Sequence, residues 1–556
     1  MVLVLIIATW LRFFNLGITP GGLYVDEASI GYNAYSLLKT GRDEYGKSFP
    51  ALIKSYGDFK APVYTYLLVP VYKFWGMNMT TTRAVSAVAG VMTVAFLYAF
   101  VKLVTNKNRL AILSSLVLAI SPWHMLLSRA AVESNVALMF MMVGLWAFFK
   151  YIKGSKAFLV VAAMTSAVAF TAYHAQRLIL PLLFLGLGWH YRKKIFNRDD
   201  MRWLVGGLVA GLIILTPTLG VLKTPAFLAR AEGINILSFR TNQLWGWVEG
   251  AGVLNHRALL LTRQWLALYT AYFSPKYIFG PGNFVLRNAY PDAGPFLIWQ
   301  LPFLIAGVIG LARAKKNDGK VLMVLLLVIS PLAASLVDEP LGMIRALPMV
   351  IPLSVLIALG MDTFIKKWRN WGIMVVILLV FLGIGRIYLS AFKINDFYRY
   401  RYWDYGTDKV VEEINKLQDE KIQVDNWRAE VYAQLLFFLK YDPAKYQAGN
   451  RMNYGNYYYD EPIDKVKRMG RITVKSINWN DDIVFNKVVV GSHVVFGDDE
   501  IKRYCLTKVF TIRAPDNEIL FTGARTNPEA ILKYNKLTAD FEDKPKDCWG
   551  LIENVR

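Results

Sequence analysis

The sequence predicts a polytopic α-helical membrane protein, with about eleven crossing helices, followed by a mixed α/β extracytoplasmic domain. Three observations predict it. First, 55% of the 556 residues are hydrophobic and the mean hydropathy is +0.33, above the roughly 45–50% apolar content of soluble domains. Second, the apolar residues fall in blocks near the roughly 20 residues that cross a bilayer, among them Val85–Leu103, Phe158–Ala172, Leu204–Leu219, Val321–Leu336 and Ile373–Leu389. Third, the formal charge of +22 lies wholly before residue 391, because residues 391–556 carry 26 basic and 26 acidic side chains.

The excess charge sits in five loop clusters. They are Lys102, Lys107 and Arg109; Lys150, Lys153 and Lys156; Arg192, Lys193, Lys194, Arg198 and Arg202; Arg313, Lys315, Lys316 and Lys320; and Lys366, Lys367 and Arg369. Each follows every second hydrophobic segment, as basic residues retained on the cytoplasmic side do. The N-terminus is then inside, and an odd number of crossings leaves residues 391–556 outside. Segments near Leu110–Ile120 and Leu178–His190 are short for spans. No basic tail or nucleic-acid motif is present, so a nucleic-acid partner is set aside. The opening run MVLVLIIATWLRFFNLG lacks a small-residue cleavage site and reads as a first membrane helix.

The outward loops are residues 17–83, 121–133, 173–177, 221–295 and 337–345. The first should hold an amphipathic helix over Ala28–Lys39 and a second, Ala61–Trp75, along the interface. The loop 221–295, with Trp245, Trp247, Trp265, Tyr269, Tyr272 and Phe273, either caps a site or rests on headgroups. The C-terminal part predicts helices at Asp408–Gln418 and Glu430–Lys440 and strands at Lys421–Val424, Lys487–Phe496 and Lys508–Arg513. Its tyrosine-rich stretch Asn453–Pro462 either stacks on sugars or lies in a surface loop or partial core. Cys505 and Cys548 are either a disulfide or two buried thiols.

Asp26 and Glu27 stand about ten residues past the first helix. A carboxylate there can take the proton from an attacking hydroxyl; the plainer reading is a helix cap, since acids favour a first turn. Lys60, Arg83, Arg129, Arg177 and Arg345 are on the same side, against the positive-inside trend. Arg and Lys bind phosphate, so the group points to a phosphate-bearing substrate, although each taken singly is explained by snorkelling. Glu133 either joins Asp26 in orienting an acceptor or holding a divalent cation (Mg or Mn) through oxygens, or pairs with Arg129. His124 and His174 read as structural histidines, and no zinc-type cluster is present. There is no P-loop and no GxSxG elbow. A transporter would place polar groups near the bilayer midplane, whereas these stand at helix ends. A polysaccharide ligase or polymerase would also use outward cations and lipid-linked sugars.

The runs LRFFNLG, YVDEASIGYNAYSLL, FKAPVYTYLLVPVYKFWG and TRAVSAVAG resemble the membrane glycosyltransferases of the C-type fold (GT-C), nearest to protein O-mannosyltransferases and lipid A aminoarabinose transferases. SPWHMLLSRAAVESN, YFSPKYIFGPGNF, PFLIWQLPFLIAGVIGL and IRALPMVIPLSVLIALGMD resemble later segments, so the likeness covers residues 1–390. The resemblance implies inverting transfer from a polyprenyl-phosphate sugar to a hydroxyl acceptor (protein, lipid or glycan) at the outer face of the cell membrane. It implies that Asp26 is the base, that Glu27 and Glu133 assist or bind metal, and that Lys60 and Arg345 stand near the donor phosphate, with Arg129 and Glu133 in the expected places of the second outer loop; Arg83, Arg129, Glu133, His174 and Arg177 are the further candidates for the substrate site. Lys60 is followed by Ala-Pro where aminoarabinose transferases have Pro-Pro and mannosyltransferases have His in place of the Lys, so the donor sugar stays open.

Overall fold

The computed structural model describes all residues except 57, 228–256, 282–284, 316–317, 338–340, 427–430, 450–457, 459–466, 540–545 and 555–556. The membrane part begins with α1 (Val2–Phe13), followed by α2 (Val25–Thr40) and a short antiparallel hairpin of β1 (Ile53–Ser55) and β2 (Asp58–Lys60). Helix α3 (Pro62–Trp75) starts on a proline whose fixed φ suits a first turn. Helix α4 (Met79–Thr105) is capped by Asn78, which accepts from Thr81 N at 2.9 Å, and ends on Asn106 in the left-handed region. Then come α5 (Asn108–Ala119), α6 (Pro122–Arg129), α7 (Glu133–Ile152), α8 (Phe158–Ala172), α9 (Gln176–His190), α10 (Met201–Leu219), α11 (Arg257–Ala271), α12 (Leu301–Arg313), α13 (Asp318–Ile329) and α14 (Val350–Leu389).

Five helical segments among the described residues are long and apolar enough to cross a membrane, or six if α5 and α6, bent by 58°, form one span. This is fewer than the eleven expected. Val2–Phe13 and Phe158–Ala172 are shorter apolar helices, and a 15-residue helix rises only about 22 Å against a hydrocarbon core of about 30 Å. The segment 350–389 also joins two helices across a break at Arg369 (φ 50°), inside the fifth basic cluster.

The five basic loops meet in two groups. Arg109 and Lys366 both pair with Asp362, at 2.5 and 2.6 Å. Lys156 pairs with Asp200 at 2.8 Å, Lys194 donates to Ile152 O at 2.5 Å, and His190 lies 3.3 Å from Asp318. Loops sorted to one side from charge alone therefore lie beside one another in space.

The C-terminal part holds α15 (Thr407–Lys416), β3 (Ile422–Val424), α16 (Val431–Leu439), α17 (Pro443–Gly449), β4 (Lys467–Met469), β5 (Ile472–Val474), β6 (Val488–Ser492), β7 (Thr507–Arg513), β8 (Ile519–Arg525), α18 (Pro528–Leu537) and α19 (Cys548–Asn554). Its six-stranded sheet has the order β4-β5-β3-β6-β8-β7, with β3 parallel to β5 and β6 and the remaining pairs antiparallel. Cys505 and Cys548 form a disulfide, Cα–Cα 5.3 Å. Helix α2 lies between this part and the bundle. Its Val25 and Tyr32 share a core with Val431, Leu435 and Tyr446, while its Ala28 and Ile30 pack with Tyr64, Leu68 and Tyr72 of α3.

The long loop after α10 contains α11, which rests on the α13 end: Trp265 Nε1 donates to Ser335 Oγ at 3.1 Å and Tyr269 OH to Val328 O at 2.8 Å. Trp245 and Trp247 lie outside the described residues. Of Asn453–Pro462 only Tyr458 is described; it is buried and takes Lys54 N on its hydroxyl at 2.9 Å, as a core residue does.

Helices α12 and α14 touch through glycines. A Cβ on Gly360 would strike the Phe303 carbonyl and one on Gly307 the Leu356 carbonyl, the close approach that small residues permit between membrane helices. Gly360→Val is expected to cost about 1–3 kcal/mol by overpacking and to lower the thermal midpoint in detergent. Gly385→Val, whose added atom meets nothing within 4 Å, is the control and should leave the midpoint in place.

Candidate functional site

The first turn of α2 separates the two adjacent acids. Glu27 turns back to accept from Tyr24 N at 3.2 Å, the reciprocal half of a capping box. Its Oε1 also takes Ala131 N at 2.8 Å and Arg83 Nε at 2.9 Å, and Oε2 takes Arg83 Nη2 at 2.9 Å. A carboxylate offers about four acceptor positions, and this one fills them inside the protein, 2% exposed. Arg83 is equally committed. Its remaining N–H groups reach Leu16 O at 3.2 Å, Pro20 O at 2.9 Å and Gly22 O at 2.6 Å, so all five guanidinium donors are in use. Glu27 and Arg83, expected as catalytic helper and phosphate ligand, have their polar atoms engaged within the protein, and together they shape the chain from residue 16 to residue 27.

Asp26 faces the other way, its side chain 38% exposed. Its Oδ1 accepts from Lys60 Nζ and from Tyr56 OH. Lys60 Nζ also donates to Tyr56 OH at 2.7 Å and stands 4.8 Å from the centre of the Tyr56 ring. Lys60 itself is 1% exposed. It sits on β2 at the end of the hairpin, and Tyr56 occupies the hairpin turn with φ +37°.

Glu133, at the first turn of α7, accepts from Ala61 N at 3.1 Å, directly after Lys60. It thus supports the Lys60 backbone. Among the described residues no group of three or more His, Cys, Asp or Glu side chains is gathered to hold a metal, and the expected Asp26–Glu133 cation pair has no third such ligand among them. Arg129 is buried and donates to Leu11 O at 3.0 Å, Arg12 O at 3.2 Å, Asn15 O at 3.2 Å and Thr19 O at 2.6 Å, with Phe392 stacked at 4.6 Å. It caps the end of α1, where open carbonyls and the helix dipole attract a cation. Arg129, expected to line the substrate site, is placed at this helix end. His174 and Arg177 stand at the α8–α9 turn, Arg177 4.2 Å from the Phe227 ring centre, and Arg345 is half-buried in the turn before α14.

Three participants escaped the sequence reading. Tyr56 is one; its only signal is the turn-forming Tyr-Gly-Asp four residues before Lys60. Arg287 is another: its guanidinium lies 3.4 Å from the ring centre of Tyr24, the residue immediately before α2. Arg12 is the third. It is buried, donates to Ala119 O at 3.1 Å and stands 2.7 Å from His124 Nδ1, closing the carbonyl end that the α5–α6 bend leaves open.

Helix α4 carries Arg83 near one end and Lys102 near the other, 19 residues apart, or roughly 30 Å at 1.5 Å per residue. The Asp26 site thus lies about one hydrocarbon thickness from the first basic loop.

Residues 59–220 match the family model of dolichyl-phosphate-mannose-protein mannosyltransferases. The match opens one residue before Lys60 and leaves Asp26 and Glu27 outside. No curated protein matches the chain. Among solved structures, ArnT from Cupriavidus metallidurans in the apo state aligns with TM-score 0.57 at 14% identity, covering 95% of this chain and 98% of that one. The same protein bound to undecaprenyl phosphate aligns with TM-score 0.56 at 13% identity, covering 94% and 97%. At such identity the likeness establishes the fold, and the chain resembles the C-type membrane glycosyltransferases.

The pairing geometry separates stability from chemistry. Glu27→Gln, which leaves the Arg83 charge buried without its partner, should cost about 3–5 kcal/mol and reduce the monodisperse fraction on size exclusion. Asp26→Asn, at a 38% exposed position and with an amide oxygen still facing Lys60, should lower that fraction and the thermal midpoint less than Glu27→Gln does.

Proposed function

We propose that this chain is an integral membrane glycosyltransferase that moves a sugar from a polyprenyl-phosphate donor to a hydroxyl acceptor at the outer face of the membrane, with inversion and with Asp26 as general base. The observation that carries the reading is the half-exposed Asp26 carboxylate held by a buried lysine. The family match over residues 59–220 and the fold shared with a protein bound to undecaprenyl phosphate support it.

The chemistry follows from the residues. Before the donor arrives, Lys60 pairs with Asp26. A phosphodiester entering beside Lys60 competes for its ammonium and frees the carboxylate. The acceptor oxygen then attacks the anomeric carbon from the face opposite the phosphate, and Asp26 takes its proton as that bond forms. The bond from the anomeric carbon to the phosphate oxygen breaks, and its electron pair leaves with the phosphate. Lys60, Arg287 and Arg345 are the cations proposed to stabilise the charge on that oxygen. Backside displacement inverts the anomeric centre, and no nucleotide is consumed because the donor arrives activated.

The lipid tail needs an apolar berth. A cavity of about 490 Å³ runs between α3, α4 and α7, lined by Leu67, Val71, Trp75, Val85, Val136 and Phe140. Helix α3 begins two residues after Lys60, so the berth and the proposed phosphate position share one element. In this reading residues 1–390 are the catalytic membrane part and residues 391–556 the extracytoplasmic domain.

In single-turnover assays with a panel of polyprenyl-phosphate sugars, Asp26→Asn should lower transfer by about 10²–10⁴-fold while polyprenyl-phosphate binding persists. Lys60→Met should weaken that binding. Transfer near the wild-type rate by Asp26→Asn would sink the base assignment, and a wild-type chain that neither binds nor uses any donor of the panel would sink the class.

A further inference from the structure

We infer that the C-terminal domain positions the reaction centre, with Asp404 holding the helix end that carries Asp26 and Tyr432 holding the turn that carries Tyr56. This rests on the reading of Asp26 as the base and adds to it two positioning residues more than 370 positions away in sequence.

The first N–H groups of a helix have no partner within it, and Tyr24 supplies no side-chain cap to α2. Asp404 fills that place from outside, its Oδ2 accepting Val25 N at 3.2 Å. Its carboxylate also faces the positive end of the helix dipole. Asp404 is itself held: it sits in the left-handed region (φ 54°), and Gln434 Nε2 donates both to its Oδ2 at 3.0 Å and to Leu23 O at 2.7 Å. The two segments approach so closely that a Cβ on Gly22 (φ +90°) would meet the Trp403 carbonyl and lie 2.8 Å from Tyr405 N. The residue before Asp404 and the one after it therefore press on the turn that leads into α2.

The other half of the contact is held in the same way. Tyr56 N donates to Tyr432 OH at 3.2 Å, and Tyr432 OH lies 3.2 Å from Tyr45 OH. Tyr432 is buried at the start of α16, and Lys467 covers its ring at 4.6 Å. Asp26 and Tyr56 are 30 residues apart and touch through one hydrogen bond and the shared Lys60 ammonium. Each is steadied by the same C-terminal block, so docking of that block sets the distance between base and lysine. A displacement of about 1 Å at such a centre costs roughly a hundredfold in rate.

The test uses the full chain in detergent or nanodiscs with Asp404→Ala, Asp404→Asn and Tyr432→Phe. Two quantities are read: turnover with donor affinity, and amide hydrogen exchange of peptides covering residues 22–28 and 53–60. Asp404→Ala and Tyr432→Phe should lower turnover about tenfold to a hundredfold with donor affinity within about threefold, and raise exchange in those two segments about tenfold while α7 stays unchanged. Asp404→Asn retains a capping oxygen and should restore most of both, which a loss of charge alone would not do. Unchanged exchange in both segments overturns the inference, as does a uniform rise across the chain. If the wild-type chain transfers no sugar, the functional reading fails and the exchange data alone decide the positioning.

Discussion

The buried pair of Arg83 and Glu27 is the constraint on which the site depends. A guanidinium with its five donors directed at Leu16, Pro20, Gly22 and both oxygens of Glu27 leaves the chain between α1 and α2 one path. Removing either partner leaves an uncompensated charge in the interior, a far larger penalty than the pair's net contribution. The same pair fixes the phase of α2. With Glu27 turned inward to cap its own helix and to bind α4, the preceding residue, about 100° around the helix, is turned toward the hairpin. The orientation of Asp26 is thus a consequence of where Glu27 is held.

Buried arginines recur with this structural logic. Arg129 closes the carbonyl end of α1 and Arg12 the carbonyl end of α5. Helices that stop or bend inside a bundle leave carbonyls without water, and an arginine supplies several donors in one fork. That need explains why these cations stand at the end of the bundle away from the basic loops. Lys60 differs: it is also buried, yet its ammonium reaches a half-exposed carboxylate rather than a closed set of carbonyls.

Much of this was legible in the sequence. The apolar blocks and alternating basic loops announced the membrane bundle and which loops share an end. The helix over residues 25–40 was anticipated at 28–39, and its start moved to Val25 because the cap is made by Tyr24 N with Glu27 and by Asp404, a partner 379 residues away from Val25. The cap reading of the acid pair is met by Glu27, which accepts from Tyr24 N, and Asp26 is the residue proposed for chemistry. The hairpin over residues 53–60 was not legible, since three-residue strands give no alternation to read and Tyr56 takes a positive φ. The carbonyl partners of Arg83 and Arg129 were hidden for another reason: a guanidinium aimed at carbonyls 60 to 120 positions away looks, in sequence, like one aimed at phosphate. In the C-terminal part the helix at Thr407–Lys416 and the strand at Thr507–Arg513 were anticipated closely. The strand Ile519–Arg525 was missed; its residues Leu520–Ala524 are buried on both faces and show no polar alternation.

The central claim is that outward chemistry is concentrated at Asp26, Tyr56 and Lys60, and that the buried arginines are architecture. The most direct test is a structure of the full chain with polyprenyl phosphate bound. The account predicts the phosphate on Lys60, its ammonium moved from Asp26, the Asp26 carboxylate open to an incoming hydroxyl, and the bonds of Arg83 and Arg129 unchanged. A phosphate seated on Arg83 or Arg129, with Lys60 still paired to Asp26, would contradict it.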